Sequence, residues 1–195
     1  MTGAATSSPP APLRARIVAA ALALTTERGW SAVTMAKLAD AVGVSRQTVY
    51  NEVGGKPALA EAMILGELDR FLGVVTGAFD RHPDALVDAI RDAAHDVLVL
   101  AEDNPLLHAV VSATHGADTE LLPLLTTHAE SLLVAAKGVI LERLGPYGLD
   151  LPAARLDAAV DTIVRVVLSH VMQPTGTPAE TADAVAWIVG RVLER

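Results

Sequence analysis

The chain has 195 residues, of which 51% are hydrophobic and 3% aromatic, and its formal net charge is −8. This apolar composition excludes a disordered protein, and the abundance of Ala, Leu and Val favours helices over strands. The chain contains no cysteine, which excludes a disulfide framework and a cysteine-based zinc site.

The N-terminal residues, 1–12, are rich in Ala, Ser and Pro. They lack the basic start and apolar centre of a signal peptide, so we expect a disordered arm. The longest uncharged runs, 104–117 and 166–179, contain His and helix breakers. Because a membrane-spanning helix needs about 20 apolar residues, we expect a cytoplasmic protein.

Glycine and proline signals divide the rest of the chain into helix-length blocks, and no stretch shows strict alternation. The pattern predicts an all-α protein of about nine helices. One moderate and two very short helices come first, in a small domain at 13–56. Longer helices follow at 57–195 and predict a bundle. Residues 1–60 hold six basic and three acidic residues, whereas the remainder holds nine and 20. This asymmetry indicates that the two parts have different partners.

Two short helices meet at a tight turn between residues 34 and 56. Thr34 can cap the first helix and Gly43 can end it in the left-handed conformation. Ser45 can cap the second helix, and Val44 and Val49 then occupy the positions of a hydrophobic staple. The sequence therefore predicts a helix-turn-helix.

The second short helix has one apolar and one polar face. Val49 and Val53 point inward at helical spacing, whereas the polar side chains lie opposite them: Arg46, Gln47, Thr48, Tyr50 and Asn51. Amide, guanidinium and methyl groups suit base edges in the major groove. The groups that suit phosphate oxygens are Thr34, Tyr50 and Lys56. The alternative is an ordinary solvated helix, which usually carries Lys/Glu pairs that this one lacks.

The DNA-binding signature of the TetR family of transcriptional regulators resembles one stretch of this chain, TMAKLADAVGVSRQTVYNEVGGKPAL. The resemblance covers about residues 13–65. It implies that Arg46, Gln47 and Thr48 face bases and that Thr34, Tyr50 and Lys56 contact phosphates. The candidate DNA-binding site also includes Ser45 and Asn51. Val53 stands where the family usually has Phe, and Asn51 replaces a common His. The stretches SRQTVYNEVGGKPALAEAM and PTGTPAETADAVAWIVGRVL are similar to an actinobacterial branch associated with fatty-acid, alkane or related lipid metabolism.

The resemblance also implies a homodimer formed by the last two helices. Their apolar positions fit either such an interface or the chain's own core, or both: Ile163, Val166, Val167, Val171, Val185, Ile188, Val189 and Val192. We expect Trp187 to pack against a neighbouring helix.

A ligand pocket is expected between the long helices, with an apolar lining and a few polar anchors. The candidates are Phe71, Phe79, Leu98, Leu107, His108, Val111, His128, Leu132 and Leu168. Only four cationic residues lie between 92 and 190, namely Lys137, Arg143, Arg155 and Arg165. This scarcity favours a long apolar, fatty-acid-like molecule over a densely charged one.

The sequence thus predicts a one-component repressor that a small apolar ligand releases from a palindromic operator. The alternative is a helical-bundle ligand-binding protein without operator-specific DNA binding. No cofactor or metal site is predicted, because the histidines lack metal-ligand spacing. No enzyme is predicted either, because phosphate-binding glycine loops and nucleophile elbows are missing. The acidic pair Glu102-Asp103 is attributed to helix capping beside Pro105.

Overall fold

The computed structural model describes residues 11–108 and 122–192, without the side chains of 122–131. Within these ranges the regular structure is helical and contains no strand. The α-helices are α1 (Leu13–Arg28), α2 (Met35–Val42), α3 (Arg46–Val53), α4 (Lys56–Arg81), α5 (Leu86–Glu102), α6 (Leu122–Leu144), α7 (Ala153–Met172) and α8 (Pro178–Val192). Residues 105–108 are also helical, and the prediction of an all-α chain of about nine helices is confirmed. The predicted arm lies outside the described residues except for its last two.

The chain divides into two compact units between Met63 and Ile64. The first part of α4 therefore belongs to the N-terminal unit, where Leu59, Ala60 and Met63 are buried. The sequence placed the boundary after residue 56, where the glycine signals end and α4 begins. The boundary in the structure lies later because the first apolar side chains of α4 are buried in the N-terminal unit.

Two arginines of α1 bind the ends of the short helices in the N-terminal unit. Arg16 Nη2 donates to the carbonyl of Val42 at 2.7 Å, and Arg14 Nη1 donates to that of Glu52 at 2.6 Å. The last carbonyls of a helix have no partner within it. These arginines therefore satisfy the carboxyl ends of α2 and α3, a role that the sequence did not reveal.

The core of the C-terminal unit forms where α5 packs along α8 and against α7. Phe79 is buried in this core, and its ring meets that of Tyr147 edge-to-face, with the centroids 6.0 Å apart. The Tyr147 hydroxyl donates to the carbonyl of His82 at 2.6 Å. Phe79, which the sequence predicts as a pocket residue, has its ring packed among core side chains.

A group of ion pairs joins the end of α4 to α5. His82 Nε2 lies 2.8 Å from Asp92 Oδ2, and Arg81 Nη2 lies 2.7 Å from Asp96 Oδ2. The hydrogen bond from His82 holds the pKa of Asp92 below its ordinary value, and the charge of Arg81 acts in the same direction.

We expect Asp92→Asn to destabilise the protein more at pH 6 than at pH 3. A carboxyl whose folded pKa is lowered contributes its full stability above the ordinary Asp pKa of about 3.9. That contribution is lost as the pH falls through the lowered pKa. Because the pair is partly exposed, the difference at pH 6 should stay below about 1 kcal/mol. Urea denaturation of both proteins at several pH values measures it, and a difference independent of pH would contradict the assignment.

Candidate functional site

The predicted helix-turn-helix is present, with its caps at the expected residues. Thr34 Oγ1 accepts from the Lys37 amide at 3.3 Å at the start of α2. Gly43 ends α2 with φ 73° and ψ 40°, a conformation that costs little only for glycine. Ser45 Oγ accepts from the Thr48 amide at 3.1 Å and begins α3. These bonds fix the direction in which α3 leaves the turn.

Helix α3 is docked on one side only. Val49 and Val53 have 0% and 2% of their surface exposed. The opposite face carries polar side chains. Those of Arg46, Gln47, Tyr50 and Asn51 are exposed, and that of Thr48 is half-buried. The predicted division into a docked and a free face is therefore confirmed, and Val53 packs at the position where the family usually has Phe.

The polar side chains of α3 are ordered by one another. Gln47 Nε2 donates to Asn51 Oδ1 at 3.0 Å. The Arg46 guanidinium lies 5.5 Å from the centroid of the Tyr50 ring, and its Nη2 is 3.4 Å from the Tyr50 hydroxyl. Pairs four residues apart are neighbours on a helix, so this face is preorganised for a partner that can accept and donate hydrogen bonds.

Lys56 begins α4 beside the turn. Its ammonium lies 5.0 Å from the centroid of the Trp30 ring, and Trp30 is 3% exposed. A cation over an indole face is attracted by the ring's electrons. Trp30 therefore helps to position Lys56, which the sequence assigned to a phosphate without naming this support.

Comparison with known proteins matches both units. A sequence profile described as bacterial regulatory proteins of the tetR family matches residues 17–63. A second profile, described as the C-terminal domain of the bacterial tetracyclin repressor, matches residues 85–191. The chain belongs to the TetR family of transcriptional regulators. A TetR protein is a DNA-binding regulator that acts as a dimer and binds a small ligand, so the predicted class of function is confirmed.

Two similar TetR proteins share a name. The HTH-type transcriptional regulator AlkX of Mycobacterium tuberculosis is 29% identical over 94% of this chain and 86% of its own length. The crystal structure of AlkX from Dietzia sp., a TetR-family repressor implicated in biodegradation of n-alkanes, has a TM-score of 0.74 and 28% identity. That comparison covers 96% of this chain and 98% of the other. A regulator from Mesorhizobium loti, at 18% identity, shares the fold with a TM-score of 0.68, covering 95% and 98% of the two chains.

The C-terminal unit of this TetR protein holds a cavity of about 290 Å³ between the ends of α5 and α7 and the start of α8. It is lined by Leu98, Ala101, Glu102, Leu107, His108, His170, Val171, Met172, Pro174, Gly176, Pro178 and Thr181. The structure thus brings together three predicted pocket residues, Leu98, Leu107 and His108.

The other predicted pocket residues lie elsewhere. Phe71, Phe79, Leu132 and Leu168 are outside this cavity. Leu168 is 46% exposed on α7. Val111 and the side chain of His128 lie outside the described residues. The sequence missed His170, because no spacing signal links it to the end of α5.

Within the described part of the chain, none of the helices combines the length and the hydrophobicity that a membrane crossing requires. Across the same residues, no group of three or more His, Cys, Asp or Glu side chains could hold a metal ion.

Proposed function

We propose that this protein is a dimeric repressor that binds a palindromic operator through α3. A small apolar molecule would release it from that operator. The observation that carries the proposal is the preorganised polar face of α3. It is held by the caps at Thr34 and Ser45 and by the buried Val49. Arg46, Gln47 and Thr48 would contact bases, and Thr34, Tyr50 and Lys56 would contact phosphates. Because the operator is DNA, the proposed protein works in the cytoplasm.

The dimer would form through α7 and α8. Val185 and Val189 are buried within the chain, whereas Ile188 and Val192 on the same helix are exposed. Trp187, which the sequence predicts to pack against a neighbouring helix, is 66% exposed, and the Arg191 guanidinium lies over its ring, 6.0 Å from the centroid. A large exposed apolar surface of this kind favours association. Two copies related by a twofold axis would present α3 to successive major grooves about 34–36 Å apart, which is why we propose a palindromic site.

Release requires a ligand that binds the non-operator conformation better than the operator-bound one. The cavity is mostly apolar, with walls that include Leu98, Leu107, Val171 and Met172. One relative is implicated in n-alkane biodegradation. Both observations support a small apolar effector for this chain.

We expect Gln47→Ala to weaken binding to the operator by about 1–3 kcal/mol and to relax sequence preference, because a base contact is lost. Lys56→Ala should instead weaken binding to all sequences and lower the slope of affinity against salt by about one unit. Fluorescence anisotropy with an operator selected from random DNA, at several salt concentrations, measures both effects.

Gln173→Ala is the matched control, because Gln173 is an exposed glutamine in the C-terminal unit and should leave DNA binding unchanged. If neither Gln47→Ala nor Lys56→Ala differed from wild type in DNA binding, α3 would not be the helix that contacts the bases. If the selection yielded no preferred sequence at all, the alternative of a ligand-binding bundle without operator binding would be favoured.

A further inference from the structure

The polar side chains that line the cavity favour a neutral head group over an anionic one. The described lining includes Glu102, His108, His170 and Thr181, and none of these lining residues is Lys or Arg. Three of the four cationic residues between 92 and 190 form ion pairs: Lys137 with Asp157 and Asp161, Arg143 with Asp80, and Arg165 with Asp161. A carboxylate in this cavity would meet no permanent cation among the described lining residues and would lie close to the Glu102 carboxylate. Two like charges in one site repel each other, which disfavours an anionic head group.

Backbone contacts select the tautomers of both imidazoles. His108 Nε2 lies 2.7 Å from the carbonyl oxygen of Glu102, and His170 Nδ1 lies 2.9 Å from that of Val166. A carbonyl oxygen only accepts, so the ring proton is on Nε2 of His108 and on Nδ1 of His170. The remaining nitrogen of a neutral imidazole is an acceptor. Both histidines line the cavity, and each ring therefore keeps one lone pair that a hydrogen-bond donor in the cavity can use.

The size of the cavity limits the ligand. Its volume of about 290 Å³ lies just below the range of small-molecule pockets, which is about 300–1,000 Å³. The space therefore suits an alkyl chain of moderate length.

We propose that the effector is an aliphatic alcohol of moderate chain length, whose hydroxyl donates to His170 Nε2 or His108 Nδ1. This inference rests on the proposed function and narrows its ligand class, since a neutral donor replaces the fatty-acid-like head group expected from the sequence. The alkyl chain packs against Leu98, Leu107 and Met172.

The test compares three probes of equal length on the full chain by isothermal titration calorimetry at about pH 8, where histidine is ordinarily neutral. The probes are 1-octanol, 1-methoxyheptane, which lacks the donor, and octanoate, which is anionic. We expect 1-octanol to bind about tenfold more tightly than either of the others, the ratio that one well-made hydrogen bond supplies. Equal binding of the ether, tighter binding of octanoate, or no binding of 1-octanol would overturn the proposal.

Variants locate the acceptor. His170→Leu should lower the affinity for 1-octanol about three- to tenfold and leave the affinity for the ether unchanged. His108→Leu is a second variant at an exposed residue, which serves if the first does not fold. His95→Ala is the control, because His95 lies on α5 outside the cavity and contacts Asp96. If neither leucine variant changed the preference for the alcohol, the histidines would not be its acceptors and the proposal would fail.

Operator binding measured on the same preparation distinguishes a failure of the alcohol assignment from a failure of the proposed function. If the protein binds its operator and only octanoate releases it, the alcohol assignment fails while the proposed function stands. If the protein binds no operator sequence, the proposed function fails whichever probe binds.

Discussion

Ile188→Asp is expected to convert the protein from a dimer to a monomer and to weaken operator binding by about two to four orders of magnitude. In a dimer, binding of one DNA-binding unit holds the second unit close to its half-site and so raises its effective concentration there. A monomer binds a single half-site without this gain in affinity. Ile188 is 44% exposed on α8, so the new carboxylate stays solvated in the monomer and the fold should be retained. In a dimer formed through α7 and α8, the same carboxylate would be buried without a partner.

The choice of this surface rests on the distribution of exposed apolar side chains. Among the described residues, five large ones lie on α7 and α8: Leu168, Met172, Trp187, Ile188 and Val192. The two helices also contact each other. We call the surface that these five side chains occupy the α7–α8 face and propose it as the interface.

Sedimentation velocity gives the oligomeric state, and anisotropy with full and half operators gives the two affinities. Val134→Asp is the matched control, because Val134 is 63% exposed on α6, outside the α7–α8 face. It should leave the protein dimeric. A dimeric Ile188→Asp variant with unchanged operator affinity would exclude this part of the α7–α8 face as the interface.

The N-terminal unit could be predicted from the sequence because its signals are local. A cap such as Thr34 or Ser45 bonds to an amide three residues away, and the left-handed conformation of Gly43 depends on its own backbone. The inward position of Val49 follows from its spacing to Val53. What escaped prediction were contacts between distant residues, such as Arg16 with the end of α2 and Trp30 with Lys56.

The cavity was predicted less well because its walls come from separate helices. Apolar spacing shows that a residue lies on a helix's apolar face, but it does not show whether that face meets the core, a cavity or solvent. Phe79 is packed in the core and Leu168 lies on the exposed α7–α8 face, whereas Leu98 lines the cavity. His170 becomes relevant only because the end of α7 lies beside the end of α5.

The helix start at Pro105 is capped by a different side chain from the one predicted. The sequence attributes the capping to the acidic pair Glu102-Asp103, whereas the structure shows that Asn104 caps the helix. Its Oδ1 accepts from the amides of Leu106 and Leu107, each at 3.0 Å. Asn followed by Pro is a typical start of a helix, with Asn as the cap and Pro as the first helical residue.

Asn104→Ala is expected to lower the free energy of unfolding by about 2–4 kcal/mol. Asn104 is 2% exposed, and its Nδ2 donates to Oε2 of Glu67 at 2.5 Å. Glu67 is itself 7% exposed, and Arg70 is its other partner, at 3.0 Å. The substitution removes a helix cap, which costs about 0.5–2 kcal/mol. It also leaves a buried carboxylate with one donor fewer, which costs about 1–3 kcal/mol.

Urea denaturation measures the total loss, and Asn51→Ala is the matched control. Asn51 is exposed on α3, so its replacement should change stability by less than about 0.5 kcal/mol. Equal effects of the two substitutions would show that the buried bonds of Asn104 contribute nothing measurable.

Asn104→Asp separates the two roles of the side chain. It keeps an acceptor for the amides of Leu106 and Leu107, and hydrogen exchange at these amides should stay slow, whereas Asn104→Ala should accelerate it. The new carboxylate would face Glu67, and two carboxylates in one site raise the pKa of one of them. The penalty is then present above the raised pKa and is relieved as the pH falls through it. Asn104→Asp should therefore approach wild-type stability in acid while Asn104→Ala does not.

Because Leu107 and His108 follow this cap and line the cavity, the same bonds that stabilise the helix start also fix one wall of the ligand site.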